Sequence, residues 1–172
     1  MSLTKTRVTI CLFALAAASL PAFAQVDAKA AYLKHLKTSK DFTLKVANQM
    51  PEASYDFKLT PPQMSFAEQL VHLSQSLDFF LASFSGEKPK GSKPASMSKK
   101  DVVAFVGECF DGAIAKVSKL TPEQLSKTYK GEEGTMTGLE VLMGMMDHTT
   151  HHRASAEMYL RAKGITPTEY EF

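Results

Sequence analysis

Ser65-Phe66-Ala67-Glu68-Gln69-Leu70-Val71-His72-Leu73-Ser74-Gln75-Ser76-Leu77-Asp78-Phe79-Phe80-Leu81-Ala82-Ser83-Phe84 reads as one amphipathic helix with its start signal attached. Ser65 and Glu68 have the spacing of a capping box, in which each side chain satisfies the other's free backbone N–H. Phe66, Leu70, Leu73, Leu77, Phe80 and Phe84 then recur at steps of four and three, which makes one face apolar. Such a face must be buried against other elements, and alternating β-branched stretches that would supply a sheet are scarce in this chain. The partners are therefore helices.

Three further helical patterns surround this one. The first covers about 29–48, with Leu33, Leu36, Leu44 and Ala47 as inner candidates and Pro51 marking its end. Another begins near Ser98 and carries Val102, Val106, Cys109, Ala113, Val117 and Leu120, after which Thr121-Pro122-Glu123 starts a new turn, since Pro fits best at a helix's first position. The last covers about 137–163 and closes at Gly164. Between the second and third patterns, residues 86–97 are rich in Gly, Pro, Ser and Lys and form a solvated connection. No internal repeat is present. These patterns predict an all-α protein with one domain over residues 25–172, a four-helix bundle whose inner positions can hold a metal or cofactor.

Residues 1–24 read as a secretory signal peptide. Lys5 and Arg7 make a positive start, the stretch from Val8 to Leu20 is a short apolar segment, and Ala22-Phe23-Ala24 supplies the small residues of a cleavage site. The expected mature protein is exported, either periplasmic or secreted. Removing Lys5 and Arg7 leaves eighteen of the twenty basic residues against eighteen acidic ones, so the formal charge of +2 belongs to the leader. A balanced chain lacks the electrostatic footprint for a phosphate backbone or an anionic membrane, and neither nucleic acid nor membrane is an expected partner. Cys11 leaves with the leader. Cys109 then stands alone, which excludes an intrachain disulfide and suits a small core residue better than a nucleophile.

The chemistry concentrates in Asp147-His148-Thr149-Thr150-His151-His152-Arg153, which holds three of the five histidines. At about 100° per residue, His148 and His152 fall within about 40° of each other, in the sector of Val141, Met145 and Tyr159. They point inward, with His151 near the boundary of that face. Two imidazoles at i and i+4 can hold one metal ion, but the Glu of His-Glu-x-x-His is absent, so a metalloprotease is excluded. A third ligand must come from elsewhere, and His72 is the candidate. It lies more than about 100° from the centre of its own helix's apolar stripe, facing either a second neighbour or water. His35 has no partner and reads as surface. The residues alone leave open both a metal triad and a chance pair on a packed helix. Covalent haem is excluded because there is no Cys-x-x-Cys-His.

Met50-Pro51-Glu52, Tyr55-Asp56-Phe57, Thr60-Pro61, Met64 through His72, His148 through Arg153, and Tyr159 through Ile165 occur in an order and spacing that resembles the DinB family of DinB/YfiT-like metalloenzymes over the whole mature chain. The resemblance implies that His72, His148 and His152 are the three metal ligands. It also implies an up-down-down-up bundle, which needs one long crossover between parallel helices. Twelve extended residues reach about 40 Å, against about 30 Å for a twenty-residue helix, so residues 86–97 are long enough. Many members continue the histidine pair as Arg-Gly-Gln, whereas Arg153 is followed here by Ala154 and Ser155, which makes Ser155 the candidate second-sphere replacement.

Some members look like thiol-dependent S-transferases, in which a divalent ion stabilises the thiolate of a low-molecular-weight thiol. An open position on the same ion could instead lower the pKa of a water and favour hydrolysis. Zinc and nickel both suit imidazole ligands. The expected partner is a small-molecule substrate, possession of the triad is equally compatible with a non-catalytic metal-binding or stress-related bundle, and a homodimer is the assembly to test for. Tyr159 is a candidate proton donor or a core tyrosine with a satisfied hydroxyl, and Glu68 a candidate for orienting His72. Mass spectrometry of the exported protein should place the mature N-terminus at Gln25, and a mature chain that retains Met1 would overturn the leader assignment.

Overall fold

The computed structural model describes residues 27–131 and 134–171, so the leader lies outside the described residues. Helix α1 is Ala28–Gln49, a single 3-10 turn follows at Glu52–Ser54, and α2 is Phe66–Ser85. Helix α3 is Lys99–Ser118 and the short α4 is Pro122–Ser126. Strands β1 (Thr128–Gly131) and β2 (Gly134–Thr137) form an antiparallel hairpin that leads directly into α5, Gly138–Ala162. The helix start signals act as their spacing dictates. Ser65 with Glu68, Thr121 with Gln124 and Thr137 with Glu140 all form reciprocal capping boxes. Gly86 and Gly164 end α2 and α5 in the left-handed conformation, at φ +71° and +75°.

Side-chain contacts set the direction of each long helix. Lys29 near the start of α1 donates to the Leu120 carbonyl past the end of α3, at 2.9 Å, and Lys99 at the start of α3 donates to Asn48 and Met50 carbonyls at the end of α1, at 2.7 and 2.9 Å. The two helices are antiparallel, and each supplies an ammonium group to the other's C-terminal carbonyls. Helix α5 runs parallel to α1, because Arg153 meets Ser39 and, further along both, Thr166 meets Gln49. Helix α2 runs antiparallel to α5, since Gln69 meets His152 while Phe84 meets Gly138. Helices α2 and α3 are therefore parallel and the bundle is up-down-down-up. The crossover between them folds back along α2, where Gln75 holds the Ser92 carbonyl at 2.8 Å and Asp78 accepts from the Lys90 amide at 2.7 Å.

The core runs the length of the bundle through Leu36, Phe42, Val46, Phe66, Leu70, Leu73, Leu77, Val106, Phe110, Leu142, Met145 and Leu160, all essentially inaccessible to solvent. Burying each such side chain contributes about 1.5–3 kcal/mol. Several inner candidates shift. Leu33 and Leu44 are only partly buried, because α1 packs on both α3 and α5 and turns Tyr32, Ser39, Phe42, Thr43 and Val46 inward instead. Ser39 and Thr43 belong inside because their hydroxyls are used: Thr43 donates to the Ser39 carbonyl at 2.7 Å, and Ser39 accepts from buried Arg153. Cys109, Phe80 and Phe84 are also partly exposed, while Phe105 and Phe110 fill the α3 face. No described helix is long and apolar enough to cross a membrane.

The hairpin is the element that the helical reading omits. Its Tyr129 ring packs edge-on against Phe84, with centroids 5.0 Å apart, and the Tyr129 hydroxyl donates to the Gln124 carbonyl. It closes the end of the α2–α5 seam, where Gly138 is pressed between α4 and α2. A Cβ at Gly138 would stand 2.2 Å from the Gln124 carbonyl oxygen and 2.8 Å from the Phe84 ring. Gly138→Ala should therefore destabilise the protein by about 1–3 kcal/mol in urea unfolding, as overpacking does. Gly107→Ala, in the open on α3, should instead be neutral or gain up to about 1 kcal/mol.

Candidate metal centre

Position 72 lies outside the apolar stripe of α2 because it serves a different neighbour. The core stripe faces the bundle centre, while the flank bearing Gln69 and His72, three residues apart and so neighbours on one helix surface, lies against α5. Helix α5 contributes His148 and His152 at i and i+4. Since the helices are antiparallel, the two pairs meet face to face. The His72 ring lies 5.1 Å from that of His148 and 4.5 Å from that of His152, and His148 and His152 are themselves 4.5 Å apart between centroids. One ring nitrogen from each of the three lies within 4.8 Å of the other two. Among the described residues this is the one group of three or more His, Cys, Asp or Glu side chains with such convergence, and it contains no carboxylate or thiolate.

The other histidines fall outside the cluster. His151 is exposed and touches only the edge of His152, with ring centroids 4.9 Å apart, and His35 is partly exposed on α1. The half-buried recess opposes protonation of His148 and His152. Burial is the main cause and mutual repulsion the second: together they push His152 down to about 4 and His148 down from its ordinary value. Both are neutral at pH 7, the form that donates a lone pair to a cation. The Nδ1 of His148 is buried without a hydrogen-bond partner. An orphaned buried nitrogen on one of three converging imidazoles suits a borderline-soft divalent ion better than any anionic or neutral ligand.

The surrounding residues divide into those that serve the cluster and those that serve the fold. Gln69, which sequence reasoning passed over, is buried and places its Oε1 2.6 Å from His152 Nδ1. Its spacing of three before His72 was the available signal. Ser155 donates to the His151 carbonyl of its own helix and does not replace a ligand-orienting residue. Glu68 accepts from the Ser65 amide and lies 3.4 Å from Lys58, so capping accounts for it; the Ser65 bond is also the main reason its carboxyl titrates low. Tyr159 is fully buried and donates to the Met64 carbonyl, as a core tyrosine with a satisfied hydroxyl. Arg153 is buried beside His152, bonded to Ser39 at 2.7 Å and stacked over the Phe42 ring.

His72 and His148 also line a cleft of about 680 Å³ that passes Phe79 and Phe80, runs beneath the crossover at Pro89–Lys93, and reaches Cys109 and Lys116 on α3. Its wall is mainly apolar. Cys109 is not a nucleophile here: burial above all, with Glu108 and Asp78 nearby, pushes its thiol up to about 11 and keeps it protonated.

This chain belongs to the DinB family, whose match spans residues 24–172. Among solved structures it is similar to a DinB-like protein from Bacillus cereus, at 17% identity and a TM-score of 0.72, covering 81% of this chain and 95% of that one. A DinB-like protein from Bacillus subtilis, YjoA, is similar at 23% identity and TM-score 0.70, covering 83% and 96%. YfiT from Bacillus subtilis, described as a probable metal-dependent hydrolase with an unusual four-helix bundle topology, is similar at 18% identity and TM-score 0.60, covering 80% and 89%. At these identities the likeness is one of fold. No curated protein sequence matches this chain.

The depressed histidines make the metal-free protein acid-sensitive. Above the unfolded value near 6.5 neither state binds the protons, and the stability is complete. As the pH falls below about 6.5 the unfolded chain takes up protons that folded His152 refuses until about 4, so stability is lost across that window. Urea unfolding in the presence of a chelator should show a lower midpoint at pH 5 than at pH 7.5. The drop should shrink in a His148→Gln, His152→Gln double variant, and an equal drop there would assign the acid sensitivity elsewhere.

Proposed function

We propose that this chain is an exported metal-dependent enzyme in which His72, His148 and His152 hold one divalent ion, zinc or nickel, that activates a small nucleophile against an electrophilic small molecule. The observation that carries this reading is the convergence of three imidazoles beside an apolar cleft with no protein carboxylate or thiolate among them. Three His ligands plus one exchangeable position make a catalytic zinc set, whereas structural sites fill all four positions with protein groups. When bound, the ion supplies Lewis acidity that brings the pKa of a coordinated water or thiol toward neutrality.

The chain's own residues do the rest. Helices α2 and α5 bring the three imidazoles together and keep His148 and His152 neutral, and Phe79 and Phe80 line the path by which the apolar part of a substrate reaches them. Hydrolase-like chemistry with water as nucleophile is the leading form, in keeping with the description of YfiT and with export, since cytosolic thiols are not guaranteed outside the cytosol. S-transferase-like chemistry with a low-molecular-weight thiol is the second form, and it rests on the family resemblance. The leader pattern of residues 1–24 supports export.

Metal content of the purified mature protein tests this reading. His72→Ala, His148→Ala and His152→Ala should each remove most of the ion, while His35→Ala and His151→Ala should retain it. If His151→Ala empties the site and His152→Ala leaves it filled, the ligand assignment is wrong. Cobalt-loaded protein should develop a thiolate-to-metal band with small thiols if the second form holds. No band with any thiol, together with no hydrolysis across esters, amides and lactones, would favour the non-catalytic metal-binding bundle.

A further inference from the structure

The three histidines are not equivalent in what supports them. His148 Nδ1 is buried with no partner, but His152 Nδ1 lies 2.6 Å from the side-chain oxygen of Gln69. A carbonyl oxygen can only accept a hydrogen bond, so the hydrogen must reside on His152 Nδ1. A neutral imidazole has one N–H, and its other nitrogen, Nε2, then carries the free lone pair. Gln69 is itself held in place: it is only 9% exposed, it stands on α2 three residues before His72, and its helix start is secured by the Ser65–Glu68 capping box one turn earlier. The same helix therefore delivers one ligand and the group that orients another.

We infer that Gln69 is the positioning residue of this centre: by accepting from His152 Nδ1–H across the α2–α5 seam it fixes the tautomer and the ring angle of His152, presenting Nε2 as the metal-binding atom. This rests on the triad reading above but makes a claim about His152 that holds in the metal-free protein as well. A neutral amide oxygen fixes the tautomer without adding a negative charge, so the cluster keeps the full positive charge of its ion and a strongly polarised exchangeable position. A carboxylate at position 69 would fix the same tautomer more strongly and make the imidazole more basic. Gln69 thus does from the partner helix what the Gln of Arg-Gly-Gln, replaced by Ser155, does not do here from α5.

The test combines nitrogen-15 NMR of the metal-free side chains with zinc affinity measured by chelator competition on the mature chain. In the wild type, His152 should be the Nδ1–H tautomer. Gln69→Met, of similar size but with no acceptor, should shift His152 toward the Nε2–H form and weaken zinc binding by about 10- to 100-fold, the range seen when an outer-sphere partner of a metal-bound His is lost. Gln69→Glu should restore the Nδ1–H form and recover affinity to the wild-type level or better. Gln69→Asn, whose shorter amide cannot reach, should behave like Gln69→Met and serves in its place if that variant does not fold. An unchanged His152 tautomer in both of the acceptor-removing variants overturns the inference, as does wild-type zinc affinity in them. If the wild type itself binds no zinc, the triad reading fails, and the tautomer measurement still decides the role of Gln69.

Discussion

Everything distinctive about this bundle depends on the antiparallel contact between α2 and α5. A sliding of either helix by one turn, about 5.4 Å, would separate His72 from His148 and His152. Features at both ends of the seam prevent it. At one end Gly138 admits Phe84 and the α4 backbone to within a distance that no side chain could tolerate, and at the other the Tyr159 hydroxyl is bonded to the Met64 carbonyl just before α2 begins. Between them, Gln69 and His152 form the polar contact at the level of the cluster.

The remaining helices pin α5 from the opposite side. Arg153 is a buried cation immediately after a cluster histidine, and it must be satisfied to be tolerated there. Ser39 accepts from it, the Phe42 ring lies under it at 4.5 Å, and Glu157 is close enough to favour its charged form, although burial is the larger effect and pulls the other way. The segment after α5 reinforces this arrangement. Gln49 on α1 bonds to Thr166 and Thr168, and Tyr170 packs edge-on against Phe42. The face of α5 opposite the cluster is thus anchored to α1, and its histidine face is held toward α2.

The local cost of the centre is electrostatic. Three imidazoles in mutual contact cannot all be protonated, and half-burial removes the water that would screen them, so the fold keeps His148 and His152 neutral and ready to donate. The crossover contributes by lying along α2 through Gln75 and Asp78, which leaves the cleft beside His72 and His148 roofed by chain from residues 89–93. Up-down-down-up connectivity is what makes that segment long enough to do so, since a short turn between antiparallel helices would leave no chain to cover the site.

Sequence periodicity by itself determined that this is a helical bundle, because a stripe such as Phe66, Leu70, Leu73 and Leu77 has only one way to be buried, and because capping boxes and terminal glycines mark helix ends through interactions a few residues long. It also singled out His148 and His152 as a pair, a consequence of 3.6 residues per turn. What only the tertiary structure decided involves groups distant in the chain. Ser39 lies inside because Arg153, over a hundred residues away, needs an acceptor, and Thr43 lies inside with its hydroxyl on the Ser39 carbonyl, so the stripe of α1 is broken by polar letters. The hairpin forms because Tyr129 finds Phe84 and Gly138 permits the approach, not because its strands alternate strongly. His72 looked misplaced on its own helical wheel, and Gln69 looked like an ordinary polar residue beside a cap. Both acquire their meaning from α5, since a wheel describes one helix and the direction of a side chain toward a second helix is fixed only when the two pack.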